Sequence, residues 1–422
     1  MTPRTSSSRP PPSLGYSDEP GHRTADEAAD ATGVNAVCGA SAAGLHCPAC
    51  GSVVAAVPVP WRCPACGGVL ELPVASIDAG AALRGSGVWR YAPWLGAAGT
   101  ADSEPVTLGE PETPLVLVPW GPVGVTFKLE AALPTGSFKD RGAAVLVAWL
   151  RDRGIRAVME DSSGNAGAAL AAYCARAGIA CTVFVPASAS PAKLAQIRAY
   201  GARVEAVPGP REAATEAAVA GTATSGAAYA SHLWNPAFLA GTATFAYETW
   251  EQLGRRVPDV AVFPVGGGTL LLGAYRGWAA LRDAGLIDRV PRLVGVQVSA
   301  CAPLTAAFDA GLGAPAPVDP GPSVAEGILT PRPPRGSQVL AAVRETGGCL
   351  LTVDDESTWV ALRDLGRLGF YMEPTAAVAA AGLRVLQQRG HVSSGERVIC
   401  ALTGSGLKAS ELIAARLVAG RP

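Results

Sequence analysis

The chain has 422 residues, 49% hydrophobic and 16% charged, with 34 basic against 35 acidic side chains. That length supports two or three domains around a large core, and a net charge of −1 argues against a nucleic-acid or anionic-membrane partner. Every apolar run falls short of the roughly 18 residues a spanning helix needs, and the N-terminus lacks the basic-then-apolar pattern of a secretory signal, so a cytoplasmic protein is expected.

Residues 1–34, with Ser6–Ser8 and Pro10–Pro12, read as a disordered tail unable to bury much surface. Residues 35–75 read as a small cysteine module. From 76 to 422, short β-like runs alternate with amphipathic or Ala-rich helical runs, as in βαβ units with parallel sheets. The spacing predicts strands over 156–160, 179–185, 203–207, 260–264 and 398–402. It predicts helices over 143–151, 166–177, 191–200, 270–281 and 407–417. Ligands of open parallel sheets collect at the carboxyl ends of strands, where loops feed helix N-termini. Three loops of unusual composition hold that position: DSSGNAG at 161–167, GGGT at 266–269 and TGSG at 403–406.

Ten cysteines are present, with usage that suits a reducing compartment rather than a disulfide framework. Four of them form two tight pairs, Cys47-Pro-Ala-Cys50 and Cys63-Pro-Ala-Cys66, twelve residues apart and each followed by glycine. Four thiolates on two turns match a closed, tetrahedral and therefore structural zinc site. The other six fall mostly in apolar runs, where a buried free thiol is the ordinary expectation.

Only four lysines stand against thirty arginines. One of them, Lys139, lies in Pro134-Thr135-Gly136-Ser137-Phe138-Lys139-Asp140-Arg141-Gly142, a Gly/Ser turn that opens a helix. A helix N-terminus disfavours a cation, which lowers the amine pKa and favours the neutral nucleophile; an average lysine there would be a surface charge. Gly266-Gly267-Gly268-Thr269, between a strand and a helix, allows close backbone approach and offers amides to a phosphate. The loop at 161–167 has the same setting, with amides free for a carboxylate.

Together these segments resemble the fold type II pyridoxal-phosphate enzymes, most closely the threonine synthase family, in order from about Cys47 to Lys408. PTGSFKDRG is similar to the family's Schiff-base lysine segment, SSGNAG to its asparagine loop, GGGT to its phosphate loop and Leu402–Lys408 to its TGxGLK. Further similarities are Leu108-Gly109-Glu110 with Thr113-Pro114-Leu115, Asn235-Pro236, and Glu373-Pro374-Thr375-Ala376-Ala377. The resemblance implies an α/β fold with two parallel-sheet domains, about 143–240 contributing the smaller, preceded by a four-cysteine zinc ribbon. It implies pyridoxal 5'-phosphate held by Lys139, Phe138, Asn165, Gly266, Gly267, Gly268, Thr269, Thr403 and Ser405. Asn165 would face the ring oxygen and Thr403 the pyridine nitrogen. The substrate would rest on Ser162, Ser163, Gly164 and Ala166, with Lys139 as the catalytic base. A homodimer is also implied.

The sequence departs from the family at its substrate end. Leu133 stands for Asn, Pro111 for Gly, Ala166 for Thr, Phe238 for an Arg found in some members, Ala240 for Glu and Thr269 for Asn. Losing a planar Arg fork weakens bidentate phosphate binding. Three functions therefore stand side by side: a threonine synthase or close paralogue, a serine/threonine dehydratase or β-replacement enzyme, and a decayed pyridoxal-phosphate fold acting as an interaction module through its ribbon. Lys128 reads as structural, and Asp140 and Arg141 as a solvated or structural pair. His232 reads as a satisfied buried histidine or a pocket wall, Ser405 as an N-cap or ring contact. Lys408 reads as a surface charge or a support for the 403–406 loop, and Glu373 as substrate-side or a helix cap.

Overall fold

The apolar runs Val260–Pro264 and Val398–Leu402 lie side by side at the centre of a six-stranded sheet in the computed structural model, which describes residues 44–73, 76–98 and 104–418. Both strands are covered on both faces, which is why they are continuously apolar rather than alternating. The spatial order is Cys349–Val353, Arg292–Val298, Val260–Pro264, Val398–Leu402, Val123–Leu129 and Leu115–Trp120. Pairing is parallel throughout except at the Leu115–Trp120 edge, which runs antiparallel to Val123–Leu129. A second sheet of four parallel strands has the order Arg203–Val207, Ala180–Pro186, Ala157–Glu160, Ala228–Tyr229. The expected tail over 1–34 lies outside the described residues.

The predicted strands are present within one residue at either end. The lysine helix starts earlier than its composition suggests, at Lys139, and runs to Arg151. The predicted last helix is a 3-10 turn, Gly406–Ala409, followed by Ser410–Val418. Local chemistry sets other ends. Gly178 and Gly226 close the helices Asn165–Ala177 and Arg211–Ser225 in the left-handed region at φ 66° and 71°. Asn235 caps Pro236–Gln252 by accepting from the Ala237 amide at 2.9 Å.

Each sheet has a topological switch point. In the smaller sheet the chain moves outward from Ala157–Glu160 and returns to its other side at Ala228–Tyr229. In the larger sheet the switch falls between Val260–Pro264 and Val398–Leu402. Loops at such a reversal diverge and leave a crevice at the strands' carboxyl ends. Both crevices open on one cavity of about 780 Å³. Among the described residues, no helix is long and apolar enough to cross a membrane.

Candidate active site

Lys139 is the first residue of its helix and its side chain lines the cavity. Its amine makes no hydrogen bond or ion pair among the described residues. It lies 4.6 Å from the ring centre of Phe138 and 5.7 Å from that of Phe238. Solvent reaches the side chain through the cavity, yet protein closes around it. Burial brings the amine down to about 7; Arg211 adds to this, while Glu160 and Glu373 oppose it.

The lysine turn is laced to the loop after the last central strand. Phe138 N–H donates to Thr403 O at 3.0 Å, and Ser405 N–H donates to Gly136 O at 2.9 Å. Lys408 Nζ donates to Thr135 O at 2.8 Å and to the Gln196 amide oxygen. Glu373 N–H donates to Gly404 O at 3.1 Å. A Cβ on Gly404 would overlap the Glu373 carboxylate as it stands, so a larger residue there would displace that side chain. Burial pushes the Glu373 carboxyl up to about 7, against the charges of Lys408 and Lys139 and the hydrogen bond from Asn165. Asn165 Nδ2 donates to Glu373 Oε1 at 2.8 Å.

Each glycine of the loop is closely backed by other parts of the chain. An added Cβ would collide with Ile328 and Thr330 at Gly266, with Leu233 at Gly267 and with Val339 at Gly268, whose φ is +77°. The three amides donate to no protein acceptor among the described residues and stand before the helix Thr269–Asp283. On the facing wall, Ser162, Ser163, Gly164 and Ala166 line the cavity at the start of Asn165–Ala177. Thr403 Oγ1 is buried with no hydrogen-bond partner among the described residues. A free amine, a glycine cradle, two helix N-termini and an orphaned hydroxyl suit an aldehyde coenzyme with an anionic tail and a ring heteroatom.

All the cofactor and substrate residues expected from the sequence are brought to this cavity. Ser405 also accepts from Leu407 N–H at 3.3 Å as a helix cap. His232 lines the cavity and pairs through Nδ1 with Glu160 Oε1 at 2.9 Å. Burial holds that imidazole well below its usual range and the Glu160 carboxyl well above its own. Lys128 is structural: it lies buried, 2.7 Å from Glu248. Asp140 and Arg141 are not a solvated pair. Asp140 caps Thr135 N–H at 2.7 Å, while Arg141 joins Glu130 at 2.7 Å and Glu248 at 2.9 Å in the core. The sequence reading missed Arg211, which opens the helix Arg211–Ser225 at the cavity wall. No motif marks it.

The four cysteine sulfurs lie within 4.8 Å of one another. Cys47 and Cys66 approach to 3.5 Å, and Cys50 and Cys63 to 3.7 Å. A tetrahedron with ligands at about 2.3 Å has edges of about 3.8 Å, so the spacing fits zinc. Gly51 and Gly67 adopt φ of +75° and +73°, and their amides donate to Cys47 O and Cys63 O, so the two turns repeat each other.

Residues 106–404 match the family model described as pyridoxal-phosphate dependent enzyme. The threonine synthase of Methanosarcina acetivorans is 36% identical over 328 residues, 76% of this chain and 80% of that protein. That of Mycobacterium tuberculosis H37Rv is 34% identical over 313 residues, 73% and 84% of the two chains. Among solved structures, the T.th. threonine deaminase is 28% identical at a TM-score of 0.60, covering 70% of this chain and 92% of that one. Maize serine racemase shares the fold at 22% identity and a TM-score of 0.60, covering 73% and 92%.

Proposed function

Because this chain belongs to the pyridoxal-phosphate dependent enzymes, we propose that it is a threonine synthase-like lyase, converting O-phosphohomoserine and water to threonine and phosphate. One observation carries the reading: an unpaired lysine amine, brought down to about 7, faces the loops of two sheet reversals across one cavity. When bound, the coenzyme supplies the electron sink that makes the substrate's α-proton acidic. Lys139 would carry the coenzyme, and its amine would take and return protons at the substrate's α-carbon. The amides of Gly266–Gly268 with Thr269 hold the anionic tail. Asn165 and Thr403 orient the ring, flanked by Phe138 and Ser405. Ser162, Ser163 and the amides from Gly164 through Ala166 hold the substrate carboxylate.

The remaining expectations join this proposal. Cys47, Cys50, Cys63 and Cys66 bind one structural zinc within a module at 35–75. Residues 76–422 form the coenzyme-binding core, about 143–240 contributing its smaller domain. The protein works as a cytoplasmic homodimer on a small amino acid.

Phe238 favours a second reading. The position that carries an arginine in some members is here a buried ring beside the Lys139 amine and 5.8 Å from the His232 ring. A buried apolar residue where an arginine would bind a phosphate suits a dehydratase or β-replacement enzyme acting on a serine-like or threonine-like substrate. Incubating the coenzyme-loaded protein with O-phosphohomoserine, serine and threonine separates the two. Phosphate and threonine from the first support the synthase; keto acid from the others supports the dehydratase. A coenzyme-loaded protein that turns over no amino acid in a broad panel would overturn both in favour of a decayed enzyme.

A further inference from the structure

The cysteine module and the glycine loop share one buried ion cluster. Glu71 lies just beyond the second cysteine pair and bridges back to His46, the neighbour of Cys47, through backbone bonds of 3.0 and 2.8 Å. Its carboxylate pairs with Arg335 and, at 2.5 Å, with Arg276. Arg276 sits on the helix Thr269–Asp283, whose N-terminus carries the glycine loop. Arg335 precedes the helix Gly336–Glu345, whose Val339 walls Gly268. Arg335 also donates to Leu233 O at 3.1 Å, to Trp234 O at 2.7 Å and to Leu70 O at 3.0 Å. Leu233 is the side chain that walls Gly267. Gln338 closes the ring by donating to Glu71 at 2.8 Å. A second contact lies beside this one: Trp61, between the two cysteine pairs, meets Tyr229 and Trp234 edge-on at 5.4 and 5.0 Å.

The geometry points to Glu71, Arg276 and Arg335 as positioning residues for the anion site, through which the cysteine module fixes the walls and the helix of the glycine loop. Three separate pieces of that cradle meet at the Glu71–Arg335 pair: the loop's own helix, through Arg276 on Glu71, the segment bearing Val339, through Arg335 and Gln338, and the turn bearing Leu233, whose carbonyl accepts from Arg335. A glycine loop has no side chains to fix its own shape, so its amides stay convergent only if the walls do not move. The module thereby acts on the coenzyme's tail without touching it. This rests on the reading that Gly266–Gly268 hold that tail.

The test compares the affinity of coenzyme-free protein for pyridoxal 5'-phosphate with its affinity for pyridoxal, which lacks the phosphate, by equilibrium absorbance titration. Glu71→Gln and Arg276→Gln are measured beside the unaltered protein. The Arg276 side chain is one-third exposed and its loss leaves Glu71 paired to Arg335, so this variant keeps the test open should Glu71→Gln fail to fold. The expected result is a fall of about tenfold in affinity for the phosphorylated form, with pyridoxal binding unchanged. Retained preference for the phosphorylated form in both folded variants, or an equal loss for both ligands, overturns the inference. Equal affinity of the unaltered protein for the two ligands instead overturns the reading of the loop itself.

Discussion

At pH 7 an ordinary lysine, with a pKa near 10.5, is neutral in only about one molecule in 3,000. Lys139, brought down to about 7, is neutral in about half, a gain of roughly 1,500-fold in reactive amine. Coenzyme-free protein labelled with trace acetic anhydride across pH 5 to 11, with the Lys139 peptide quantified by mass spectrometry, should therefore show a midpoint about 7. Arg211 lowers the value, so Arg211→Gln should move the midpoint upward. The same displacement acts on stability. Between about pH 7 and 10.5 the folded chain binds fewer protons at this site than the unfolded chain, so its contribution becomes more favourable as pH rises through that window. Lys139→Met should thus stabilise the protein below pH 7, by at most about 5 kcal/mol. A labelling midpoint at 9 or above would refute the account of burial around this amine.

Two further outcomes are expected. Glu248→Leu removes the carboxylate shared by Lys128 and Arg141, both fully buried, and should cost about 3–5 kcal/mol in urea unfolding; a loss under about 1 kcal/mol would contradict the network as drawn. Elemental analysis should find one zinc per chain, absent from Cys63→Ser, and a chelator should lower the melting temperature of the unaltered protein alone; metal-free protein of undiminished stability would dispose of the zinc site.

The parts of the site that were legible are those whose chemistry is local. Lys139, the glycines at 266–268 and the loop at 161–167 each sit in a short segment whose composition demands a turn before a helix. The strands Arg292–Val298 and Cys349–Val353 were not singled out, because neither shows the apolar–polar alternation that marks a half-buried strand nor the glycine-rich loop that flags Val260–Pro264 and Val398–Leu402. Asp140 and Arg141 are structural rather than solvated, for a geometric reason that the sequence does not display. Adjacent opposite charges suggest a solvated pair, but successive helical residues point about 100° apart. One therefore turns toward Thr135, the other toward Glu130 and Glu248. Arg211 and the Glu71–Arg335 contact were invisible because their partners are distant in sequence, 264 positions apart in the second case.

The strand Val398–Leu402 enters the sheet between Val260–Pro264 and Val123–Leu129, both encoded far upstream. During synthesis the larger sheet therefore has a gap at its centre until residues 398–402 have emerged. Thr403 and Gly404, which brace the lysine turn, arrive with that same segment. A chain cut before residue 398 would keep the lysine turn but lose both the strand that fills the sheet's centre and the loop that braces that turn.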